Sequence, residues 1–188
     1  MRGREINLDN LTEIEKGYMF GLFEGDGYKI HDKKGRHYHI EFYFNSVKDI
    51  LIIERIKNLL IKIGTNPNLY KDKRYNCIRI RVYSKFLFEI IKRNISLTNK
   101  TKEFKIGYIS GIIDSEGYVN PKKYMLMVIS TNLKMLEDCQ NLLKSLKITS
   151  TISERKMSIK GKLKSYRMYI SVSFKRLNHL SVKAGNLK

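Results

Sequence analysis

The chain has 188 residues, with 37 lysines and arginines against 18 aspartates and glutamates, and a formal net charge of +19. This length can bury a core as one domain or as two joined halves, and the positive excess predicts a polyanionic partner, of which nucleic acid is the commonest. The chain carries no long apolar run, signal peptide or disulfide framework, so we expect an intracellular protein of a prokaryote or an organelle rather than a membrane-bound or secreted one.

The first half of the sequence predicts seven elements in the order helix, two strands, helix, two strands, helix. Thr12 and Glu15 have the spacing of a capping box, so we expect the first helix to cover about residues 11–24. The elements after it are a hairpin of strands 28–31 and 36–45, a helix 47–63 capped by Ser46 and Asp49, a hairpin of strands 68–73 and 77–84, and a helix 85–94. We interpret residues 1–95 as one folded half and residues 96–105 as a linker.

The second half, residues 106–188, repeats this order. After a first helix, the sequence predicts strands 118–120 and 124–130, a helix 132–146, strands 149–156 and 165–174, and a closing helix 175–183. Alternating apolar residues give each sheet an inner face, which helices would cover, and an open polar face. The sequence thus predicts an α+β fold of two pseudo-symmetric αββαββα halves, each with a four-stranded antiparallel sheet.

One stretch of the sequence occurs twice. Residues 17–28 read GYMFGLFEGDGY and residues 107–118 read GYISGIIDSEGY, so the second copy follows the first after 90 residues (107 − 17 = 90). Each copy has two glycines four residues apart, two acids separated by a small residue, and a final Gly-Tyr. A repeat at about half the chain length indicates two copies of one structural unit, which we expect to be related by a pseudo-twofold axis.

The glycine pairs predict close contact between two helices. Gly17 and Gly21, like Gly107 and Gly111, are four residues apart and therefore lie on one face of a helix. Glycine within a helix costs about 1 kcal/mol relative to alanine, and a close approach of two backbones would offset that cost. We therefore expect the two glycine faces to pack against each other.

The same packing would bring two carboxylates together. Asp26 and Glu116 follow at the carboxyl ends of the two helices, where the helix dipole disfavours negative charge by about 0.3–1 kcal/mol. A divalent cation would neutralise such a pair, and Mg²⁺ prefers oxygen ligands of this kind. Carboxylates that hold metal beside a phosphate are typical of phosphodiester hydrolysis. A simpler interpretation, two amphipathic helices with acidic ends, explains neither the glycines nor the paired acids.

The two stretches resemble the LAGLIDADG motif of homing endonucleases, as MFGLFEGDG at residues 19–27 and ISGIIDSEG at residues 109–117. Two motifs in one chain are similar to the single-chain, monomeric type of that family. The resemblance implies a saddle of two antiparallel sheets around central motif helices. It also implies a metal-dependent double-strand cut, with 3′ overhangs, at a long, pseudo-palindromic DNA site. Asp26 and Glu116, in the eighth motif position, would then bind Mg²⁺ or Mn²⁺, helped by backbone carbonyls near Gly25 and Ser115.

The family also uses a basic residue near the catalytic water, and its position in this chain stays open. The alternatives are Lys122 and Lys123 after the second motif, and Lys100 and Lys102 before it. Where some relatives have a lysine at the end of the long strand of the first half, this chain has Asn45. Glu24 and Asp114, in the sixth motif position, are assigned to helix ends or interface contacts rather than to metal.

The open faces of the two sheets carry side chains that suit DNA recognition. Arginine donates two hydrogen bonds to guanine, and Arg79, Arg81 and Arg167 are the best candidates for such contacts. Lysines in the hairpin tips are better suited to phosphates, which position a protein without reading sequence. In full, the predicted DNA-binding residues are Lys33, Lys34, Arg36, His37, His39, Tyr43, Asn45, Lys71, Lys73, Arg79, Arg81, Tyr83, Lys160, Lys162, Arg167, Tyr169 and Ser171.

Other functions stay open in the sequence. An RNA maturase that helps its host intron to fold would use the same scaffold, and so would a DNA-binding regulator. Either is expected to have lost the eighth-position acids, and both acids are present here. His31, His37 and His39 suggest a nuclease with a histidine base, but no companion spacing supports one. The sequence therefore favours an intron-encoded endonuclease that acts on double-stranded DNA as a monomer.

Overall fold

The computed structural model describes residues 6–35, 37–72, 74–93, 96–120, 125–155 and 164–171. The first half contains α1 (Glu13–Asp26), β1 (Gly27–Asp32), β2 (His37–Asn45), α2 (Ile50–Lys62), β3 (Asn68–Asp72), β4 (Cys77–Tyr83) and α3 (Lys85–Lys92). The second half contains α4 (Lys102–Glu116), β5 (Gly117–Asn120), β6 (Met125–Ser130), α5 (Leu133–Ser145), β7 (Ser150–Arg155) and β8 (Ser165–Ile170). None of the helices in these ranges is long and apolar enough to cross a membrane. The predicted α+β fold is confirmed.

The strands form two antiparallel sheets with the same topology. Sheet 1 has the order β1-β2-β4-β3, and sheet 2 has the order β5-β6-β8-β7. The register is also equivalent, since Tyr28 lies opposite Glu41 in sheet 1 and Tyr118 lies opposite Met127 in sheet 2. Tyr28 and Tyr118 are the last residues of the two repeat copies, so the sequence repeat corresponds to a repeat of the fold.

The core lies between the helices and the inner faces of the sheets. Ile40, Phe42 and Phe44 of β2 are buried, and so are Ile80 and Val82 of β4, as the alternation of apolar residues predicts. The helices α2 and α5 add the buried residues Ile52, Ile53, Ile56, Leu59, Leu60, Met135, Leu136, Cys139, Leu142 and Leu143. These side chains belong to one continuous cluster that also includes the central helices. Each sheet therefore has one face on the core and leaves the other open.

Local signals explain where α1 and α4 begin. The predicted capping box of α1 is present, because the N–H of Glu15 donates to the Thr12 hydroxyl at 3.3 Å and the N–H of Thr12 donates to the Glu15 carboxylate at 2.8 Å. Thr101 caps α4, since its hydroxyl accepts a hydrogen bond from the N–H of Phe104 at 3.1 Å. As a result α4 begins at Lys102, within the stretch predicted as a linker.

The turn before α2 differs from the prediction. The helix begins at Ile50, and its cap residue Asp49 makes no side-chain capping hydrogen bond. Asn45 Oδ1 instead accepts hydrogen bonds from the N–H groups of Val47 and Lys48, both at 3.0 Å, and so forms an Asx turn. The predicted serine cap is therefore wrong. The amide oxygen of Asn45, expected to contact DNA, is used within the protein.

Several predicted residues lie outside the described ranges. They are the DNA-binding candidates Arg36, Lys73, Lys160 and Lys162, the catalytic candidates Lys122 and Lys123, and the closing helix 175–183. The roles assigned to them stay predictions.

Candidate active site and nucleic-acid interface

The helices α1 and α4 touch along their glycine faces. A Cβ atom placed on Gly17 would lie 2.1 Å from the carbonyl oxygen of Phe104, and one on Gly21 would lie 2.0 Å from that of Tyr108. Nonbonded heavy atoms are in favourable contact only at about 3.5–4.0 Å, so neither position has room for a side chain. The prediction that paired glycines allow two helix backbones to meet is confirmed.

The glycines of α4 make the same contacts with α1 as the glycines of α1 make with α4, in agreement with the pseudo-twofold symmetry of the repeat. A Cβ atom on Gly107 would lie 2.1 Å from the carbonyl oxygen of Ile14, and one on Gly111 would lie 2.3 Å from that of Tyr18. Ile14 and Tyr18 lie 90 residues before Phe104 and Tyr108 (104 − 14 = 90, 108 − 18 = 90), which is the offset of the repeat. Each helix therefore presents its glycines to the backbone of the other, and the helix pair joins the two halves.

The carboxyl ends of the helix pair also meet, at the residues that carry the two predicted acids. A Cβ atom on Gly25 would lie 2.0 Å from Ser115 Oγ and 3.1 Å from Glu116 Cγ. Asp26, the next residue, ends α1, and Glu116 ends α4. β1 and β5 begin directly after these acids, so both sheets start from the same point of the molecule.

The oxygen donors at this point fit a divalent cation whose other ligands come from water and substrate. Asp26 and Glu116 supply carboxylates, and the backbone carbonyl groups near Gly25 and Ser115 lie at the carboxyl ends of the same two helices. Within the described ranges, no group of three or more His, Cys, Asp or Glu side chains could hold a metal ion. Mg²⁺ is typically bound by one or two carboxylates together with waters and phosphate oxygens. The two acids therefore suit a site that water and a phosphate-bearing ligand would complete, and not an all-protein cage.

Lys100 and Lys102 do not belong to this centre. Lys102 is the first residue of α4 and Glu116 is the last, so at 1.5 Å per residue they are about 21 Å apart along the helix axis. Lys100 precedes the helix, and its ammonium group lies 5.0 Å from the centre of the Phe104 ring, near the amino end. The prediction that either lysine supplies the central basic residue is wrong, because the whole helix separates them from the acid.

A buried hydrogen bond joins the two halves close to the carboxyl end of α4. The Tyr18 hydroxyl donates to Asp114 Oδ2 at 2.8 Å, and both side chains are buried. The guanidinium of Arg55 lies 3.8 Å from the centre of the Tyr18 ring. Burial, and next the negative charge of Asp114, raise the pKa of Tyr18 well above its ordinary value, so the hydroxyl remains a donor. Asp114 is thus an interface residue, as predicted, whereas its counterpart Glu24 is exposed.

Substitution of Asp114 by alanine is expected to lower the free energy of unfolding by about 2–3 kcal/mol, because it leaves the buried Tyr18 hydroxyl without its charged acceptor. Glu24→Ala, at the equivalent position of α1, is the matched control and should change that free energy by less than about 0.5 kcal/mol. Urea unfolding followed by circular dichroism measures both variants. Equal effects at the two positions would contradict this role for Asp114.

The open face of sheet 1 carries a buried carboxylate. Glu41 of β2 is 0% exposed, although it points away from the core. Arg81 Nε lies 2.5 Å and Arg79 Nε 3.8 Å from Glu41 Oε1, and Tyr43 donates its hydroxyl to Oε2. Burial alone would raise the pKa of Glu41, but hydrogen bonds from Tyr43 and Arg81 and the charges of both arginines lower it below its ordinary value. Glu41 is therefore ionised at neutral pH beneath the side chains of the open face.

His39 belongs to the same cluster and is not available to DNA. It is 6% exposed, and its Nε2 atom lies 3.4 Å from Glu41 Oε1. The ring of Tyr83 lies beside it, with the ring centres 5.4 Å apart. Burial, and next the charge of Arg81, lower the pKa of His39, which favours the neutral ring at pH 7. The prediction that His39 contacts DNA directly is therefore wrong, because neighbouring side chains cover it.

The other predicted contacts of sheet 1 are accessible to different degrees. The exposed ones on the open face or near the β1–β2 turn are Lys33, Lys34, His37, Tyr43 and Tyr83. Arg79 and Arg81 point to the open face, as predicted, and lie 4.9 and 5.2 Å from the centre of the Tyr70 ring. Lys71 is exposed too, but it lies opposite Ile78 and so belongs to the helix side of the sheet.

Sheet 2 presents a different surface. Arg167 and Tyr169 of β8 point to its open face, and Arg167 Nη1 donates a hydrogen bond to the Tyr169 hydroxyl at 3.1 Å. Opposite them in β6 are Ile129 and Met127, which alternate with buried apolar residues and so share the open face. Ser171 is exposed just beyond the end of β8. This face therefore combines an arginine with tyrosine and apolar side chains.

The fold and the paired motif helices define a known class of protein. The sequence matches the model of the LAGLIDADG-like domain over residues 13–96 and again over residues 103–179, once in each half. The chain therefore belongs to the LAGLIDADG-like domain family, and the resemblance of its two motifs is confirmed.

Two proteins of Methanocaldococcus jannaschii are similar to the chain in sequence. The uncharacterized protein MJ0398 is 32% identical over 169 residues, which make up 85% of this chain and 60% of that protein. The DNA-directed RNA polymerase subunit Rpo1C is 24% identical over 171 residues, which make up 83% of this chain and 18% of that protein. The chain thus spans less than two thirds of the length of either relative.

Solved structures share the fold over nearly the whole chain. The homing endonuclease I-DmoI in complex with DNA and Ca has a TM-score of 0.73 and 22% identity, with 93% of this chain and 97% of that chain covered. Its complex with DNA and Mn has a TM-score of 0.69 and 21% identity, with the same coverage. The N-terminal LAGLIDADG domain of DUF199/WhiA has a TM-score of 0.63 and 16% identity, with 97% and 87% covered. At these identities the likeness establishes the fold.

Proposed function

We propose that this protein is a site-specific DNA endonuclease that cuts both strands of a duplex with the help of a divalent cation. The observation that carries the proposal is the meeting of the carboxyl ends of α1 and α4, at which Asp26 and Glu116 end the two helices and both sheets begin. I-DmoI, which has the same fold, is a homing endonuclease whose structures include complexes with DNA and Ca or Mn. That likeness supports the proposal.

Asp26 and Glu116 are the residues that would hold Mg²⁺ or Mn²⁺, together with backbone carbonyl groups near Gly25 and Ser115. A cation bound there supplies Lewis-acid chemistry, since it promotes the ionisation of water at neutral pH and offsets charge that develops on a phosphate. The protein's own part is to fix one carboxylate from each half at the end of a rigid helix. Because one chain supplies both acids, we infer that it acts as a monomer. Lys122 and Lys123 remain the candidates for the central basic residue.

The open faces of the two sheets are the proposed DNA-binding surface. A net charge of +19 attracts phosphates, and exposed lysines of the β1–β2 turn such as Lys33 and Lys34 would contact them. Side chains on β-strands can read base edges in the major groove, which suits Arg79, Arg81 and Arg167. Two related but unequal sheets would bind a long site whose halves are only approximately palindromic.

A library of randomised duplexes tests this function directly. The purified protein is incubated with the library and Mg²⁺, and the new ends are sequenced. We expect one long site to be cut on both strands, with 3′ overhangs, and no cutting when EDTA removes the cation. Binding of RNA without any cut in the library would contradict the proposal and favour an RNA maturase. Retention of duplex without cutting would favour a DNA-binding regulator.

A further inference from the structure

The proposed cutting reaction does not use Glu41, and stability is a poor explanation for its burial. Replacement of a buried ion cluster by apolar residues often leaves stability unchanged or raises it, because desolvation of the charges offsets their attraction. The two sheets of the protein show the effect of having or lacking this carboxylate. Glu41 lies between Tyr28 and Arg81 in sheet 1, and the equivalent position of sheet 2 holds Met127. The same sheet is thus built without a carboxylate at this position.

The effect of Glu41 is to hold two arginines in place. Arg81 Nε lies 2.5 Å from the carboxylate, and Arg81 Nη1 donates a hydrogen bond to the Tyr83 hydroxyl at 3.0 Å. Arg79 Nε lies 3.8 Å from the same carboxylate oxygen, which is an ion-pair distance and too long for a hydrogen bond, and both guanidinium groups lie over the ring of Tyr70. A guanidinium that is already fixed loses less rotamer freedom when it binds a ligand. The cluster therefore preorganises two hydrogen-bond donors on the open face.

The hydrogen-bond donors of Arg79 and Arg81 indicate which base these side chains would bind. Arg79 and Arg81 are alternate residues of one strand, so their Cα atoms are about 7 Å apart and their side chains share a face. In the major groove a guanidinium donates two hydrogen bonds to O6 and N7 of guanine, a pair of acceptors that no other base offers. The positive charges of the two arginines exceed the single negative charge of Glu41. The cluster therefore keeps a net positive charge, which attracts the phosphates of DNA.

Sheet 2 offers different chemistry at the equivalent positions. Met127 and Ile129 present apolar side chains on its open face, and Arg167 is bonded to the Tyr169 hydroxyl. Apolar side chains in the major groove contact the methyl group of thymine. The open face of sheet 1 therefore offers two fixed guanidinium groups, whereas the open face of sheet 2 combines one arginine with tyrosine and apolar side chains.

We propose that Glu41 is a positioning residue that determines which bases one half of the recognition site contains. The half beneath sheet 1 contains guanines that Arg79 and Arg81 read, with Glu41 as the residue that positions them. The half beneath sheet 2 is less dependent on guanine and favours thymine. This inference rests on the proposed function, because it takes DNA to lie on the open sheet faces.

Selection of bound duplexes from a randomised library in EDTA, which separates binding from cutting, tests the inference. The proteins compared are the wild type, Glu41→Gln and Glu54→Gln, which removes the same charge from an exposed position on α2. We expect Glu41→Gln to lose guanine preference by about tenfold or more at positions of one half-site. The other half-site should keep its preferences, and Glu54→Gln should match the wild type. Arg167→Lys identifies the half-site that belongs to sheet 2.

Each remaining outcome counts against the inference. Guanine preference that is unchanged in Glu41→Gln, or lost equally in both half-sites, overturns it. A recovered site without guanines beneath sheet 1 overturns it but leaves the proposed function intact, whereas failure to retain any specific duplex overturns both. If circular dichroism shows that Glu41→Gln is unfolded, Arg81→Lys gives the same readout, because lysine keeps the charge but lacks the paired donors. Unchanged preference in that variant also overturns the inference.

Discussion

Substitution of Asp26 by asparagine, or of Glu116 by glutamine, is expected to lower the rate of double-strand cutting by at least about a thousandfold. Each change replaces a carboxylate by an amide of nearly the same shape, so it removes a negative charge and a metal ligand but keeps the helix pair. DNA affinity should change little, because phosphate and base contacts lie on the sheets. Single-turnover cutting in Mg²⁺ and fluorescence anisotropy of a labelled duplex measure the two quantities separately.

Glu24→Gln is the matched control for the acid variants. Glu24 lies two residues before Asp26 on the same helix, and its side chain is exposed, so the substitution makes the same change in charge beside the site. Its cutting rate should stay close to that of the wild type. Equal losses of binding and cutting in the Asp26 and Glu116 variants would contradict the assignment, and so would full activity in either.

The centre of the molecule could be predicted because its constraints are local. A glycine at every fourth position of a helix leaves a flat surface. The observed contacts of Gly21 and Gly111 with backbone atoms confirm that this surface lets the two helix backbones meet. The acids follow the glycines on the same rigid helices, so a contact between the glycines also fixes where Asp26 and Glu116 lie. Strand alternation predicted the inner faces of the sheets for the same reason, since each residue's side follows from its neighbours in sequence.

The charged cluster on the open face of sheet 1 could not be predicted from the alternation of apolar and polar residues alone. Alternation assigned His39 and Glu41 to the correct face, but their burial depends on side chains of the neighbouring strand. Only the register that sets Arg81 opposite Glu41 brings the charges together. A glutamate on one strand and two arginines on another strand of the same predicted sheet were a usable signal for this cluster.

The error over Lys100 and Lys102 has a different origin. Thr101 is a favourable cap residue, and its hydroxyl accepts a hydrogen bond from the N–H of Phe104 in the structure. Had this cap fixed the start of the helix, the length of the helix alone would have excluded both lysines from the acid pair. A helix boundary that is misplaced by a few residues can therefore assign a side chain to the wrong end of the molecule.

Alanine at Gly21 is expected to destabilise the protein by about 3 kcal/mol, although alanine within a helix is normally about 1 kcal/mol more favourable than glycine. The added Cβ atom would lie 2.0 Å from the carbonyl oxygen of Tyr108, and a clash with backbone is relieved only if α1 and α4 move apart. Urea unfolding measures the change. Gly35→Ala in the β1–β2 turn is the control, because the nearest atoms there are the ends of the Asp32 and His37 side chains, and its effect should be small.

The Gly21→Ala variant also tests whether helix packing and catalysis depend on each other. Asp26 lies five residues beyond Gly21 on the same helix, or about 7.5 Å along its axis, so a wider helix pair must also separate Asp26 from Glu116. Cutting, measured well below the melting temperature of the variant, should therefore fall much more than DNA affinity does. A gain in stability would show that the backbones do not meet in solution. A stability loss with wild-type cutting would show that the two acids do not share one centre.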